Sequence, residues 1–452
     1  MSIHPHCTLL AALLTGCTAL IDLEGPPRPV LPIEVGDAEA PEVAPPSGPP
    51  PQDAAVAIDA LYVDASPAQV IVTDLRGMEG THDGTAWNGR ALQLEEARTA
   101  GTFTSQVFEV EAPVRWHTLR WHPWLAYGKP LPDARGRDEG YPGGGVDMQG
   151  NVLLLHLDDV DFAEEIVETS GAGHAVRGSG DGLEPGQGVF GGSAELVRGD
   201  RLEVPSDHPA FRFEDLDFTW MTFVRSSACD GLANEVLMGG ENPRADMGPP
   251  TNHLWLGCMV GARCSSTRGL GGTVRALDGP TASGCAPVPY TDGRWHQVAL
   301  VKTGHRPATL RWYLDGQQVA ASEALDFGES RLNLDGTFPF TIGGFPRDRF
   351  NTEGALDEIA LWHRALSEDE LKIIAARGLG RLSVQVRACV TADCSEDPPF
   401  GPDLVDDFTA TDGIVTHPIE LGPSRHIQYR VSLVGALGLS PRLLRVELVG
   451  AP

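Results

Sequence analysis

Along the middle of the chain, apolar and polar residues trade places in short runs separated by Gly, Pro, Asn and Asp. Alternation of this kind marks strands with one face in a core. The runs are Val152–Leu157, Phe218–Val224, Glu235–Met238, His253–Leu256, Thr273–Leu277, His296–Val301, Leu310–Leu314, Phe338–Ile342 and Ala355–Trp362. Nine strands at this spacing, with almost no helical periodicity, predict an all-β sandwich of two sheets. Leu314-Asp315-Gly316-Gln317 predicts a tight hairpin, because Asp-Gly suits a type I′ turn. A single helix is predicted over 367–377: Ser367 is its N-cap, Glu370 closes a capping box and Gly378 ends it.

Two flanks read the same way. Gly101–Glu109 and Trp116–Trp121 form two strands before the central region, and Leu382–Cys389, Ile427–Leu433 and Ser440–Leu448 form three after it. Neither flank looks complete alone.

Composition adds constraints. The 452 residues carry 34 Lys+Arg against 62 Asp+Glu, a formal charge of −28. That balance argues against a nucleic-acid partner, which needs clustered Lys and Arg. Residues 22–56 hold ten Pro, seven acids, one base and no aromatic residue. Such a segment cannot bury enough apolar surface to offset its ordering entropy. Residues 17–56 are therefore expected to be a disordered, self-repelling spacer.

The first residues carry a targeting signal. Residues 8–15 are a short apolar run, followed by Gly16-Cys17. Leu14-Thr15-Gly16-Cys17 resembles a bacterial lipobox, which implies a signal peptide over 1–16 and a diacylglycerol-modified Cys17 as the mature first residue. Lipid chains give membrane affinity by burying CH₂ groups, without a spanning helix. Thr18 after the Cys implies the outer membrane under the usual sorting pattern. Eight Cys minus Cys7 and Cys17 leaves Cys229, Cys258, Cys264, Cys285, Cys389 and Cys394. An even number in an exported chain reads as disulfides. Cys389 and Cys394 are expected to close one small loop, and the other four allow three pairings.

The central blocks are specific as a set. They are Phe218–Val224, then Asp292-Gly293-Arg294-Trp295-His296-Gln297-Val298-Ala299, then Trp312-Tyr313-Leu314-Asp315-Gly316, then Ile342-Gly343-Gly344, and last Gly354 to Ser367 with Leu356-Asp357-Glu358-Ile359 at its centre. In this order they resemble the LamG-like jellyroll family. Leu155–Asp159 and Thr169–His174 resemble that family's opening strand and the loop after it. The resemblance covers about half the chain and implies a concanavalin A-like β-sandwich. The flanks resemble a domain common beside such modules in bacterial surface proteins. On them the resemblance rests on Cys394, Gly401-Pro402-Asp403, and Arg425 with Gln428-Tyr429-Arg430. What the blocks' resemblance to known families implies is a jellyroll over 146–378 placed inside, or flanked by, a second and smaller β-sandwich built from 57–145 and 379–452. The alternative is three separate domains.

Chemistry is sparser. Trp295, Trp312 and Trp362 lie on predicted strands and are expected in the core. The family's frequent structural Ca²⁺ makes Asp158, Asp159 and Asp357 possible ligands. Laminarinase-like hydrolases of this fold class carry Glu-x-Asp-x-x-Glu on one strand. The nearest match here, Asp159-Val160-Asp161-Phe162-Ala163-Glu164, starts with Asp and falls in a loop, so no enzyme is expected. His156, His174, His253, His296 and His363 are read as surface or hydrogen-bonded residues. Loop residues near Trp255, Asn242, Arg244 and Arg347–Arg349 are the candidate ligand contacts. The reading that results is an envelope-anchored lipoprotein with a jellyroll binding module for carbohydrate or protein ligands. A self-assembling envelope protein and a glycoside hydrolase are the alternatives.

Overall fold

In the computed structural model the described residues are 69–452, except 75–77, 134–135, 137, 139, 144, 159–160, 163–164, 228, 230–233, 243–251, 262–263, 265–266, 278, 289, 335, 337, 347–349, 396–398, 406–412 and 436–439. The signal peptide, Cys17 and the Pro-rich segment lie outside them.

The protein is nearly all β. One 11-stranded sheet draws on both flanks. The strand Ser424–Val434 pairs with Ala100–Ser105 and with Phe108–Pro123, and Leu443–Ala451 pairs with Val70–Asp74 and Phe108–Pro123. Alternation along Phe108–Pro123 sends Trp116, Leu119 and Trp121 into a core with Phe103, Val431 and Leu448. Tyr429 is buried there and donates its hydroxyl to Asp74 Oδ2 at 2.6 Å, so its polar end is not stranded.

The chain leaves this sheet after Pro123 and rejoins it at Arg381. Between the two it builds a sandwich of two 8-stranded antiparallel sheets. The first contains Asn151–Leu155, Glu184–Gln187, Gly192–Leu196, Phe218–Arg225, Trp295–Thr303, Thr309–Leu314, Gln317–Ala321 and Gly354–Trp362. The second contains Glu165–Ile166, Val176–Ser179, Arg201–Val204, Glu235–Asn242, Asn252–Gly261, Thr267–Arg275, Thr281–Ala286 and Phe340–Ile342. Trp220, Leu254, Leu300, Trp312, Phe340 and Leu361 fill the space between them. Trp220 meets Phe340 edge-on with ring centroids 5.2 Å apart.

The helix is Glu368–Leu379, and its capping box has both bonds: Ser367 Oγ accepts from Glu370 N, and Glu370 accepts from Ser367 N. Gly378 is not its end, because the helix runs on to Leu379. A Cβ at Gly378 would sit 2.5 Å from the Phe223 ring, so glycine lets the helix approach the sheet. Asp315 and Gly316 have φ of 53° and 73°, as the hairpin sequence predicts. The disulfides are Cys229–Cys258, Cys264–Cys285 and Cys389–Cys394, the first two joining elements of the second sheet or its loops.

Candidate functional site

Two faces of the jellyroll carry chemistry, and each is the outer face of one sheet. On the first sheet the register slips opposite Thr222, between Met221 and Phe223, and Glu358 takes a φ of 49°. This bulge turns both Asp357 and Glu358 away from the inner core, and both are fully buried. Covering them are the helix, the turn around Val189-Phe190 and the side chains of Leu131, Val146 and Met148.

Glu358 Oε2 accepts the Leu131 N–H at 2.9 Å, and Glu358 Oε1 pairs with His156 Nδ1. The other ring nitrogen, Nε2, contacts Asp133 Oδ1 at 2.8 Å. Burial pulls the His156 pKa down, but the Glu358 and Asp133 carboxylates outweigh it and lift it to about 9. The ring is therefore an imidazolium between two carboxylates. Nearby, the buried Arg377 guanidinium pairs with the Asp138 carboxylate and donates to the carbonyls of Lys129 and Pro130. Together these bonds fasten Lys129, Pro130, Leu131, Asp133 and Asp138, on the chain arriving from the 11-stranded sheet, onto the jellyroll.

Asp357 serves another loop. Its Oδ2 accepts from Val189 N at 2.7 Å and Phe190 N at 3.0 Å. Its Oδ1 is buried with no hydrogen-bond partner among the described residues. Burial, then the charges of Glu358 and Asp158, hold its carboxyl well above the usual range. Asp158 Oδ1 accepts from Gly192 N at 2.9 Å, on the same hairpin. Asp159 lies outside the described residues. Among those residues no group of three His, Cys, Asp or Glu is placed to hold a metal ion.

The second sheet's outer face is charged and exposed only at the Glu165–Arg177 end, and its centre is buried. One residue from each of its eight strands stands in a continuous cross-strand row: Glu165, Arg177, Glu203, Thr341, Gly239, Trp255, Thr273 and Ser283. Beside its far end runs a shorter row of Glu241, His253, Arg275 and Thr281. Arg177 is exposed and Glu203 is half-buried, salt-bridged to Arg201 at 2.7 Å. At the centre Trp255 packs with Val236, Met259 and Phe345.

Several sequence expectations change here. Trp255 is 2% exposed on a strand, and Asn242 is buried with Nδ2 donating to Asn333 O, so neither is an open loop contact. Residue type alone does not say which side of a sheet a side chain takes. Arg244 and Arg347–Arg349 lie outside the described residues. Trp312 and Trp362 are core, but Trp295 is only half-buried, with the Arg225 guanidinium 5.0 Å from its ring centroid. Asp161 is exposed and belongs to no strand, while Asp159 and Glu164 lie outside the described residues.

Other residues do more than the sequence suggested. His296 repeats the clamp of His156, reaching Asp315 at 2.8 Å and Asp292 at 3.1 Å, and these carboxylates raise its pKa against the effect of burial. The Trp-His pair and the Leu-Asp-Gly turn are thus one hydrogen-bonded unit. Glu168 accepts from the backbone N–H groups of Leu154, Ser170 and Gly173 and so shapes the loop that leads to His174.

The fold and these blocks define a concanavalin A-like sandwich. Residues 202–372, less than half of the chain, match the laminin G family described as the concanavalin A-like lectin/glucanases superfamily. The resemblance to LamG-like jellyrolls holds over that stretch. No curated protein matches the chain. Among solved structures, the chain is similar to domain 4 of AbnA, a GH43 extracellular arabinanase from Geobacillus stearothermophilus, in complex with arabinotriose. Identity is 14%, coverage is 50% of this chain and 98% of that one, and the TM-score is 0.37. It is also similar to the binding domain of Paraclostridial Mosquitocidal Protein 1, at 14% identity, 50% and 52% coverage and a TM-score of 0.35. A third is the receptor binding domain of a botulinum neurotoxin C/D mosaic serotype, at 14% identity, 50% and 51% coverage and a TM-score of 0.34. The chain spans about half the length of these two toxin domains.

Proposed function

We propose that this chain is an exported, lipid-anchored, non-enzymatic binding protein whose jellyroll recognises carbohydrate or protein ligands at a bacterial surface. The observation that carries the reading is the match of residues 202–372 to the lectin/glucanase superfamily. That stretch contains six of the second sheet's eight strands, and the exposed Arg177 lies on a strand that pairs with it. Three disulfides support an oxidising compartment. The Cys17 lipobox supplies the anchor.

A glycan array probed with the protein, with and without Ca²⁺, tests this. Binding that weakens in Arg177→Ala is the expected result. Absence of any binding, together with self-association in solution, overturns it in favour of an envelope assembly protein. Glycan hydrolysis abolished by Asp161→Ala overturns it in favour of a hydrolase.

The same reading includes a structural Ca²⁺ beside Asp357, supported by its orphaned Oδ1 and the nearby Asp158 charge. Calcium takes six to eight oxygens, so backbone carbonyls would complete the set. The expected outcome is a melting temperature that rises with added Ca²⁺ and no longer responds in Asp357→Asn. An unchanged melting temperature in Ca²⁺ and in EDTA sinks the idea.

A further inference from the structure

The 11-stranded sheet carries a cavity of about 520 Å³ that the jellyroll reading does not use. Its walls come from 93–99, from Trp124, Leu125 and Tyr127, and from Gly435, Ser440 and Arg442. Four bonds lock these pieces together: Leu94 N to Ser440 Oγ at 2.7 Å, Trp124 N to Arg442 O at 2.7 Å, Tyr127 Oη to Ser440 O at 3.1 Å, and Gly435 N to Thr99 O at 2.9 Å. The cavity is thus framed by its own backbone.

Its lining is of two kinds. The half-buried Trp124 gives the aromatic surface, with one ring face covered by the Arg90 guanidinium 4.2 Å from its centroid, while Tyr127, 3% exposed, backs the wall. Around the wall stand Glu95, Glu96, Arg98 and Arg442. Arg98 and Glu95 are an exposed pair 3.8 Å apart, so their head groups can turn toward a ligand at little cost. Two acids against two bases is a neutral balance in a chain with 62 acids and 34 bases. Neutrality disfavours a strongly charged ligand. Aromatic surface beside planar donors and acceptors suits a ring with an apolar C–H face and many hydroxyls. The volume lies in the range of small-ligand pockets.

We propose that this cavity is a second carbohydrate site, for a short neutral oligosaccharide, separate from the jellyroll. Titration calorimetry of the full chain against chitotriose, cellotriose, xylotriose and arabinotriose tests it. At least one should bind, with affinity falling at least about tenfold in Trp124→Ala and in Arg442→Ala, and unchanged in Arg177→Ala. Arg442→Ala trims an exposed side chain and keeps the backbone bond to Trp124, so its melting temperature should stay put. No binding to any of the four overturns the proposal. So does binding that survives Arg442→Ala, and if that binding is lost in Arg177→Ala, the jellyroll is the site instead.

Discussion

The two outer faces of the jellyroll began from the same architecture and went opposite ways. On the first sheet, Phe218-Thr219-Trp220-Met221-Thr222-Phe223-Val224 is buried at every position. Its outward side chains, Met221 and Phe223, lie with Trp362 under the capped helix and Leu131, Val146 and Met148. On the second sheet, Arg201-Leu202-Glu203-Val204 alternates, with Leu202 and Val204 inward and Glu203 in the polar row. A strand apolar on both sides announces a covered face and an alternating one an open face; the second sheet is open only at this end, because Val236–Asn242 and Leu254–Met259 are buried at every position. Charge follows the same division. The covered face accepts two carboxylates only because backbone N–H groups and an imidazolium meet them, while the open face carries Arg177 and Glu203 with few constraints.

Removing Glu358 breaks this contrast most sharply. Glu358→Ala leaves the His156 charge half-matched and the Leu131 N–H without its acceptor. The expected loss is about 3–5 kcal/mol by denaturant titration. A loss below about 1 kcal/mol shows that the covered face does not depend on that carboxylate.

The pH dependence is next in size. The folded pKa of His156, about 9, lies above its ordinary 6.5. Its stabilisation is therefore complete below pH 6.5 and is lost as pH rises through 9. The upper bound is about 3 kcal/mol. Melting curves from pH 6 to 10 should fall toward the alkaline end, and His156→Ala should flatten part of that fall. Parallel curves for both proteins would remove His156 from the account.

The smallest effect belongs to the open face. Glu203→Ala removes a half-buried partner of Arg201 and should cost less than about 1 kcal/mol by the same titration. A cost comparable to that of Glu358→Ala would mean that the polar row is structural, which weakens its claim to be a ligand surface.

Much of the first sheet and its helix was legible in the sequence. Trp312 and Trp362 sat in alternating runs, Ser367 and Glu370 spelled a capping box, and Asp315-Gly316 spelled a turn. These signals are local, so a few neighbouring residues suffice to read them. The strands Glu184–Gln187 and Thr281–Ala286 were missed because Glu-Pro-Gly-Gln and Thr-Ala-Ser-Gly-Cys-Ala carry no apolar alternation. Pairing in the sheet holds them instead. The clamp was also hidden: Glu358 and His156 are 202 residues apart, and only the bulge at Glu358 brings them into contact. Trp255 shows the same limit from the other side. Its residue type suggested a ligand contact, and its place on the strand packs it against Met259 and Phe345.

The path of the chain sets an order of assembly. Arg425 donates to the carbonyl of Val110, 315 residues earlier, and such late partners complete the 11-stranded sheet. As the polypeptide grows from its N-terminus, Phe108–Pro123 is made long before Ser424–Val434 and Leu443–Ala451. The jellyroll has all its own strands by then. Its closure brings Tyr127 and Gly380 near each other, with the bond from Gly128 N to Arg377 O beside them, which shortens the loop the last strands must close. In the meantime the early strands present open edges. A folding helper or a pause at that stage would act on the 11-stranded sheet and not on the jellyroll.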